Sequence, residues 1–451
     1  MPKEKKTVDM VNGPLLKNIW LFAVPLMLTN FLQMLFNAAD TVVVGRFAGQ
    51  QALAAVGATG SLCFFLVAIF NGLSMGSNVL IARYLGAGEE KHVRTAVHTA
   101  ITMSAISGLF LALLGFFLSR PLLAMMSTPE DIIDMSALYM KIYFVGTFFG
   151  LIYNFGASIL RAKGDTKRPL YFLFISGLTN VVLNVVFVVF LHLSVAGVAI
   201  ATVISQALAA TLVCTALMRQ TDATQLHIRQ LGIDFSMAWN IVKIGVPAGL
   251  QGIVFSLSNV VIQSSINSFG SSAIVAGNSA AANVECFVYI GLDAFIQACM
   301  TFTSQNIGAG RYERAKEIVK LTMVLTVASA LGVALLVWGF GNTLLRFYTT
   351  DAEVIAVGMI RLTWVCLPLF LNGVLDVFVC SMRGMGFSLL PTIAQIVGIC
   401  GTRLLWIFTV FPMFRTLTVI YLCYPISWTV TSIIQGIFWR KCHKDMLAKH
   451  M

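Results

Sequence analysis

Apolar residues run along the chain in twelve long blocks separated by short polar breaks, at roughly 18–45, 53–82, 95–118, 136–159, 170–191, 196–218, 240–268, 274–306, 317–341, 355–381, 388–411 and 417–439. About 20 apolar residues suffice to cross a bilayer as a helix. None of the blocks keeps the strict alternation of a barrel strand, so the pattern predicts twelve membrane helices. The first block, NIWLFAVPLMLTNFLQMLFNAADTVVVG, carries Asn30, Gln33, Asn37 and Asp40 at steps of three, four and three. Those steps put all four on one helix face. A carboxylate inside a span costs about 3 kcal/mol on insertion scales and normally faces a protein interior or a wet cavity. Asp40 lies close enough to the outer end that reaching the headgroups is the competing reading.

Polar residues inside other blocks resolve that choice. Ser176, Asn180 and Asn184 form a stripe at i, i+4 and i+8 in the fifth block, and Thr202 lies about six residues into the sixth. At about 1.5 Å of rise per residue, Asp40, Asn184 and Thr202 all sit roughly 8–10 Å below the outer surface. Interhelical hydrogen bonding accounts for an isolated Asn or Thr at such a depth. A carboxylate at the same depth turns the group into a candidate cation or proton site. The eighth block repeats the i, i+4, i+8 spacing with Glu285, Tyr289 and Asp293, and the tenth carries Asp376. These acids mark a second cavity, suited to cationic cargo unless each acid pairs with a buried base such as Arg361 or Arg403.

The two halves repeat at one offset. Pro25 and Pro247 are 222 residues apart, as are Asn37 and Asn259, Gly164 and Gly386, and Pro169 and Pro391; Gly86-Ala87-Gly88 recurs as Gly308-Ala309-Gly310. Six helices per copy is an even number, so both copies enter the membrane from the same side as a parallel repeat with a pseudo-twofold along the membrane normal. The fold class expected is therefore all-α and integral to the membrane, with twelve transmembrane helices in two six-helix bundles. The domain plan is a tail at 1–17, one bundle over 18–218, a polar linker at 219–239, the second bundle over 240–439 and a basic tail at 440–451. Asn154 is the repeat partner of Asp376 and joins Glu285, Asp376 and Asp293 as a candidate substrate or second-cation residue.

Composition agrees: 58% of residues are hydrophobic and only 11% charged, against about 25% charged in soluble domains. The net charge of +11 would suggest nucleic acid in a soluble protein. Lys and Arg instead gather in alternate loops, which by the positive-inside rule places both termini in the cytoplasm. The nine cysteines show no CxxC spacing, which argues against zinc or a disulfide framework. The first block is too long for a signal peptide and has no small-residue cleavage site, so it reads as a retained helix. Pro25 and Pro247 fall inside helices, where proline removes a hydrogen bond and kinks the axis; Pro25 is the candidate hinge. Enzyme motifs such as HExxH or Walker A are missing, so no cofactor is expected, and transport would draw on an ion gradient.

These residues resemble the multidrug and toxic compound extrusion (MATE) transporters over essentially the whole chain. The likeness rests on Asn37-Ala38-Ala39-Asp40, the two Gly-Ala-Gly loops, Gln305-Asn306-Ile307, Leu160 to Pro169, and Asn180-Val181-Val182-Leu183-Asn184. It implies a two-lobe, V-shaped exporter that exchanges Na⁺ or H⁺ for amphipathic organic cations by alternating access. The family's cation site maps onto Asp40, Asn180 and Thr202, with position 184 in the same cluster. Many members have Asp where this chain has Asn184, which leaves the coupling ion open. Na⁺ at Asp40 is the one metal ion the resemblance suggests. The family's second acidic site resembles Glu285 and Asp376. A lipid-linked oligosaccharide or lipid flippase of the same superfamily is the alternative. Expected partners are organic cations, Na⁺ or H⁺ and the bilayer, with no nucleic acid; a monomer in the plasma membrane is the expected state.

Overall fold

The structure is a computed structural model that describes residues 7–126 and 128–450; residues 1–6 of the N-terminal tail and residue 451 of the basic tail lie outside the described residues. Twelve helices are long and apolar enough to cross a membrane: α1 Leu15–Ala48, α2 Gln50–Ala87, α3 Glu90–Met125, α4 Glu130–Ala162, α5 Lys167–Phe190, α6 Ser194–Met218, α7 Phe235–Asn267, α8 Ser272–Gly308, α9 Tyr312–Gly339, α10 Ala352–Gly384, α11 Leu389–Thr409 and α12 Leu417–Ala448. All twelve coincide with the apolar blocks, and no strand occurs among the described residues. Most ends extend beyond the apolar blocks because polar residues continue a helix once it has left hydrocarbon. Large apolar side chains such as Phe117, Phe190 and Val397 stand exposed, as lipid contact allows, while backbone polar groups are satisfied within each helix.

Four helices contain a π-helical turn, at Val44–Ala48, Val185–Phe190, Leu362–Cys366 and Ile396–Gly401. A π-turn inserts an extra residue and re-aims the face that follows. The turns begin immediately after Asn184, Arg361 and Gln395, and four residues after Asp40.

Internal contacts divide the chain into two units, and the division does not follow the linker at 219–239. Among the described residues, one unit comprises 7–9 with Leu28–Gly249; the other comprises Met10–Met27 with 250–450. Each boundary falls two residues after an intrahelical proline, Pro25 in α1 and Pro247 in α7. The first halves of α1 and α7 are thus exchanged relative to the 18–218 and 240–439 bundles.

Packing within each unit shows why. In the first, Gly72 and Gly76 of α2 lie against the backbone of Ile241, Gly245 and Gly249 of α7, with no room for a Cβ at either glycine. Small residues allow such close helix approach where no hydrophobic effect drives association. The segment ahead of α7 belongs to the same unit: the backbone N–H of His227 donates to His98 Nε2 at 3.0 Å, and that of Asp234 to Thr99 Oγ1 at 3.2 Å. In the second unit, Trp20 and Phe22 of α1 meet Phe295 and Phe302 of α8 edge-on, with ring centroids 5.2 and 5.6 Å apart. Asn306 Nδ2 donates to the Met10 carbonyl at 3.0 Å.

Candidate functional site

In the first unit, α1, α4, α5 and α6 enclose a cavity of about 170 Å³ whose lining includes Gln33, Asp40, Asn154, Asn180, Thr202 and Gln206. Its polar groups form one chain. Asn184 Nδ2 donates to Asp40 Oδ1 at 2.5 Å and to Asn180 Oδ1 at 3.1 Å; Asn180 Nδ2 reaches Thr202 Oγ1 at 3.5 Å, and that hydroxyl donates to the Val198 carbonyl at 3.0 Å. Asp40, Asn180, Asn184 and Thr202 are therefore brought together, as the sequence stripes suggested. Asn184 is fully buried, and its Oδ1 has no hydrogen-bond partner. The stripe can share a carboxylate because the three-, four- and eight-residue spacings of α1 and α5 keep one face of each helix toward the cavity.

Asn154 lines this first cavity, where its Nδ2 donates to Asn71 Oδ1 at 3.0 Å. That corrects its grouping with Glu285, Asp376 and Asp293: Asn154 and Asp376 hold equivalent positions, but in separate cavities. Gln206 is a residue that the sequence reading missed. Its Oε1 is buried without a partner, and it occupies space left by Gly146 and Gly150 of α4, where an added Cβ would lie 2.9 and 3.2 Å from that oxygen. The i, i+4 spacing of Thr202 and Gln206 was the available signal.

The second unit holds a larger cavity of about 590 Å³, lined by Glu285, Asp376, Arg361, Arg403, Tyr424 and Trp428 among others. Glu285 does not stand free. Arg361 donates to Glu285 Oε2 from Nε at 3.1 Å and from Nη2 at 3.0 Å, and from Nη1 to Asn278 Oδ1 at 2.7 Å. Both side chains are buried, so each removes the desolvation cost of leaving the other unpaired. The hydrogen bonds to Asp376 come from neutral amides, with Gln395 Nε2 donating to Oδ1 at 2.8 Å and Asn372 Nδ2 to Oδ2 at 3.0 Å, while the Arg383 charge also acts on it. Asp293 does not line the cavity; Gln297 Nε2 donates to its Oδ2 at 2.6 Å. Of the three carboxylates expected to make an acidic cavity, one is neutralised and one points elsewhere, while two guanidiniums join the wall.

Repeat arithmetic relates the cavities. Gln33 and Phe255, Asn37 and Asn259, Asp40 and Ile262, Asn154 and Asp376, Thr202 and Tyr424, and Gln206 and Trp428 are 222-residue pairs, and each member lines the cavity of its own unit. One scaffold position thus carries different chemistry in each copy. No group of three or more His, Cys, Asp or Glu suited to a metal ion occurs among the described residues.

Twelve apolar helices, an internal six-helix repeat and two polar cavities within the spans define a multi-pass membrane transporter rather than an enzyme. The chain belongs to the MATE family: the MatE family model matches residues 25–186 and 247–409, and the second match begins 222 residues after the first. It is 30% identical over 397 residues to the probable multidrug resistance protein YoeA of Bacillus subtilis, covering 86% of this chain and 85% of that protein. It is 26% identical over 329 residues to the FAD transporter of Shewanella oneidensis, covering 71% of each. A solved MOP superfamily transporter from Pyrococcus furiosus shares the fold with a TM-score of 0.91 at 20% identity, over 98% of this chain and 99% of that one.

Proposed function

We propose that this protein is a cation-coupled antiporter that exports amphipathic drugs across the plasma membrane by alternating access, as a monomer with both termini in the cytoplasm. The multidrug resistance relative supports the export of drugs. The observation that carries the coupling is the Asp40–Asn184–Asn180–Thr202 chain, a single carboxylate held in a small cavity inside a span. Its ion is Na⁺ or H⁺. Asn184 presents an N–H rather than a carbonyl to Asp40, which suits a site whose one charge is answered by one proton. Binding Na⁺ would call on the Asn184 Oδ1 that now lacks a partner. No resident cofactor enters this scheme.

Coupling requires the ion to bind with different free energy in the two access states, since equal affinity shifts no population. Asp40 lies on α1 beyond Pro25, so its occupancy can act on the kinked helix directly. Transport in proteoliposomes under separately imposed pH and Na⁺ gradients tests the reading. Dye movement driven by one gradient is expected, and movement indifferent to both would sink it. The flippase alternative calls for a strongly cationic cavity. Glu285 and Asp376 balance Arg361 and Arg403 in the larger cavity, so this observation does not favour it.

A further inference from the structure

The two copies differ at the end where the third helix of each begins and the sixth ends. In the first unit the chain itself covers the space between α3 and α6. The His227 backbone N–H donates to His98 Nε2 of α3 at 3.0 Å, and the Leu226 N–H donates to the Leu217 carbonyl of α6 at 3.1 Å. Gln225 Nε2 adds a bond to the Met218 carbonyl at 3.2 Å. Leu226 is buried in the same apolar cluster as Val97, Ile101 and Leu217. The 222-residue counterparts of His98, Val97, Ile101, Leu217 and Met218 are Lys320, Val319, Met323, Trp439 and Arg440. All five line a surface groove of about 550 Å³ in the second unit. There Lys320, Arg440, Ile433 and Ile437 stand exposed.

The second copy also changes the charge at this place. Lys316, Lys320 and Arg440 line the groove, and no acidic residue does. None of these three cations makes an ion pair among the described residues. Glu313 and Glu317 share α9 with the lysines but lie off the groove. Away from the helix ends the lining turns apolar, through Met323, Phe378, Ile433 and Ile437. Gly436 keeps it clear: glycine is a poor helix former, and an added Cβ would occupy the space 3.5 Å from the Phe378 ring. The lining from Ser432 to Arg440 of α12 covers about 12 Å of helix rise. Half the hydrocarbon core of a bilayer is about 15 Å deep.

We propose that this groove is a binding site for an anionic phospholipid, with the phosphate on Lys316, Lys320 and Arg440 and an acyl chain laid over Gly436. The lipid covers in the second unit the surface that residues 225–227 cover in the first. A backbone amide answers His98 and an apolar side chain joins Met218; Lys320 and Arg440 call for an anion. Basic pockets between helices at the membrane surface suit phosphate head groups, and the arginine fork pairs phosphate in a fixed orientation. The lysine stems lie along apolar surface while their charges stay at the head group. A free phosphate would leave the apolar floor bare, and a zwitterionic lipid would bring its own ammonium toward three cations. The site does not depend on the export reading; the cytoplasmic termini proposed above only place it in the cytoplasmic leaflet.

Native mass spectrometry of the purified full chain tests it by titration with dioleoyl phosphatidylglycerol or dioleoyl phosphatidylcholine. The two lipids share their acyl chains and differ in net charge. Wild type is expected to bind the first phosphatidylglycerol at least about tenfold more tightly, since one cation near the membrane surface is worth about fivefold toward an anionic lipid. Substituting Lys316→Gln, Lys320→Gln and Arg440→Gln together should bring the two lipids within about twofold. Lys441→Gln with Lys444→Gln removes exposed cations of the same helix that lie off the groove, and should keep the preference. Gly436→Leu fills the groove with every charge in place and should weaken phosphatidylglycerol about tenfold, the scale of two buried methylenes. The wild-type ratio needs no variant, so a misfolded substitution leaves the test standing. Equal binding of the two lipids by wild type overturns the site. A preference that survives the triple substitution, or is lost equally in the Lys441 and Lys444 variant, overturns it too, as does unchanged binding in Gly436→Leu. Displacement of the lipid by glycerol phosphate would assign the groove to a soluble phosphate, and a dimer that excludes lipid would assign it to a second copy.

Discussion

The two cavities occupy equivalent places in a duplicated six-helix unit, yet they hold different chemistry. Where the first places Asp40, the second has Ile262; where the first has Thr202 and Gln206, the second has Tyr424 and Trp428. The first cavity, of about 170 Å³, keeps one carboxylate in an amide and hydroxyl chain. The second, of about 590 Å³, mixes acids, guanidiniums and aromatic faces. A duplicated scaffold can separate two tasks that a single site would have to combine. The small site suits an ion that needs a few oxygens and a proton or cation balance. The large one suits an organic ligand, which needs surface area and oriented charges.

Removing Asp40's charge breaks the comparison most sharply. Asp40→Asn should abolish gradient-driven dye transport in proteoliposomes while leaving dye binding to the second cavity intact. Undiminished coupled transport in this variant would show that the first cavity has no coupling role. Asn184→Asp sharpens the same point by restoring a second acid 2.5 Å from the first. Two carboxylates at that separation cannot both stay ionised without a cation between them. The variant should gain stimulation by Na⁺ at neutral pH, read as the change in transport rate under an imposed Na⁺ gradient.

In the second cavity the largest expected effect is on stability. Glu285→Gln leaves Arg361 buried without its carboxylate and should cost about 3–5 kcal/mol, the usual penalty for breaking a buried pair. Reversible unfolding in mixed micelles measures it. The double variant Glu285→Gln with Arg361→Met should recover most of the loss, since both charges are then gone. A Glu285→Gln protein as stable as wild type would mean that the pair contributes no net stability to the second unit.

How much of this was legible in the chain depends on the range of the interaction. The twelve spans and the repeat follow from local composition and from a constant offset, and the stripe of Asn180 and Asn184 follows from helix periodicity. All three are visible within a short window or by aligning the chain on itself. The partner of Glu285 is not, because Arg361 is 76 residues away and Arg403 was an equally good candidate by sequence. The fate of Gln206 depended on Gly146 and Gly150 of a different helix. The π-turn after Asn184 shifts the face of α5 without any proline or glycine to announce it. The exchange of half-helices at Pro25 and Pro247 also lay beyond the sequence, since a proline marks a kink but not the neighbours on either side of it.

That exchange supplies a milder contrast. In the first unit the seam of α2 with α7 is built on Gly72 and Gly76; their repeat counterparts on α8 are Ala294 and Ala298, both fully buried. An alanine at position 72 would bring its Cβ against the backbone of Gly245 and Gly249. Gly72→Ala should therefore destabilise by about 1–3 kcal/mol, the range for overpacking a close seam, although the repeat-equivalent position on α8 carries alanine naturally. Unfolding of Gly72→Ala beside wild type decides whether the two seams really differ in helix approach.

The smallest effect concerns the segment ahead of α7. Asp222 accepts hydrogen bonds from the Thr224 backbone N–H at 2.9 Å and hydroxyl at 2.5 Å, and pairs with Lys163 Nζ, which also donates to Gln220 Oε1 at 3.0 Å. Burial by itself would push this carboxyl up. The hydrogen bonds from Lys163 and Thr224, with the Lys163 charge, outweigh burial and hold it below its ordinary 3.8. A carboxyl depressed on folding contributes stability that is complete above the unfolded value and is lost as pH falls through the folded one. Hydrogen exchange at the Thr224 amide should therefore be faster in Asp222→Asn than in wild type by a constant factor through neutral pH, and the gap should close only below about pH 3.8. Closure of the gap at neutral pH would mean that a different group, such as the His98 side chain that accepts the His227 amide, holds this segment to the first unit.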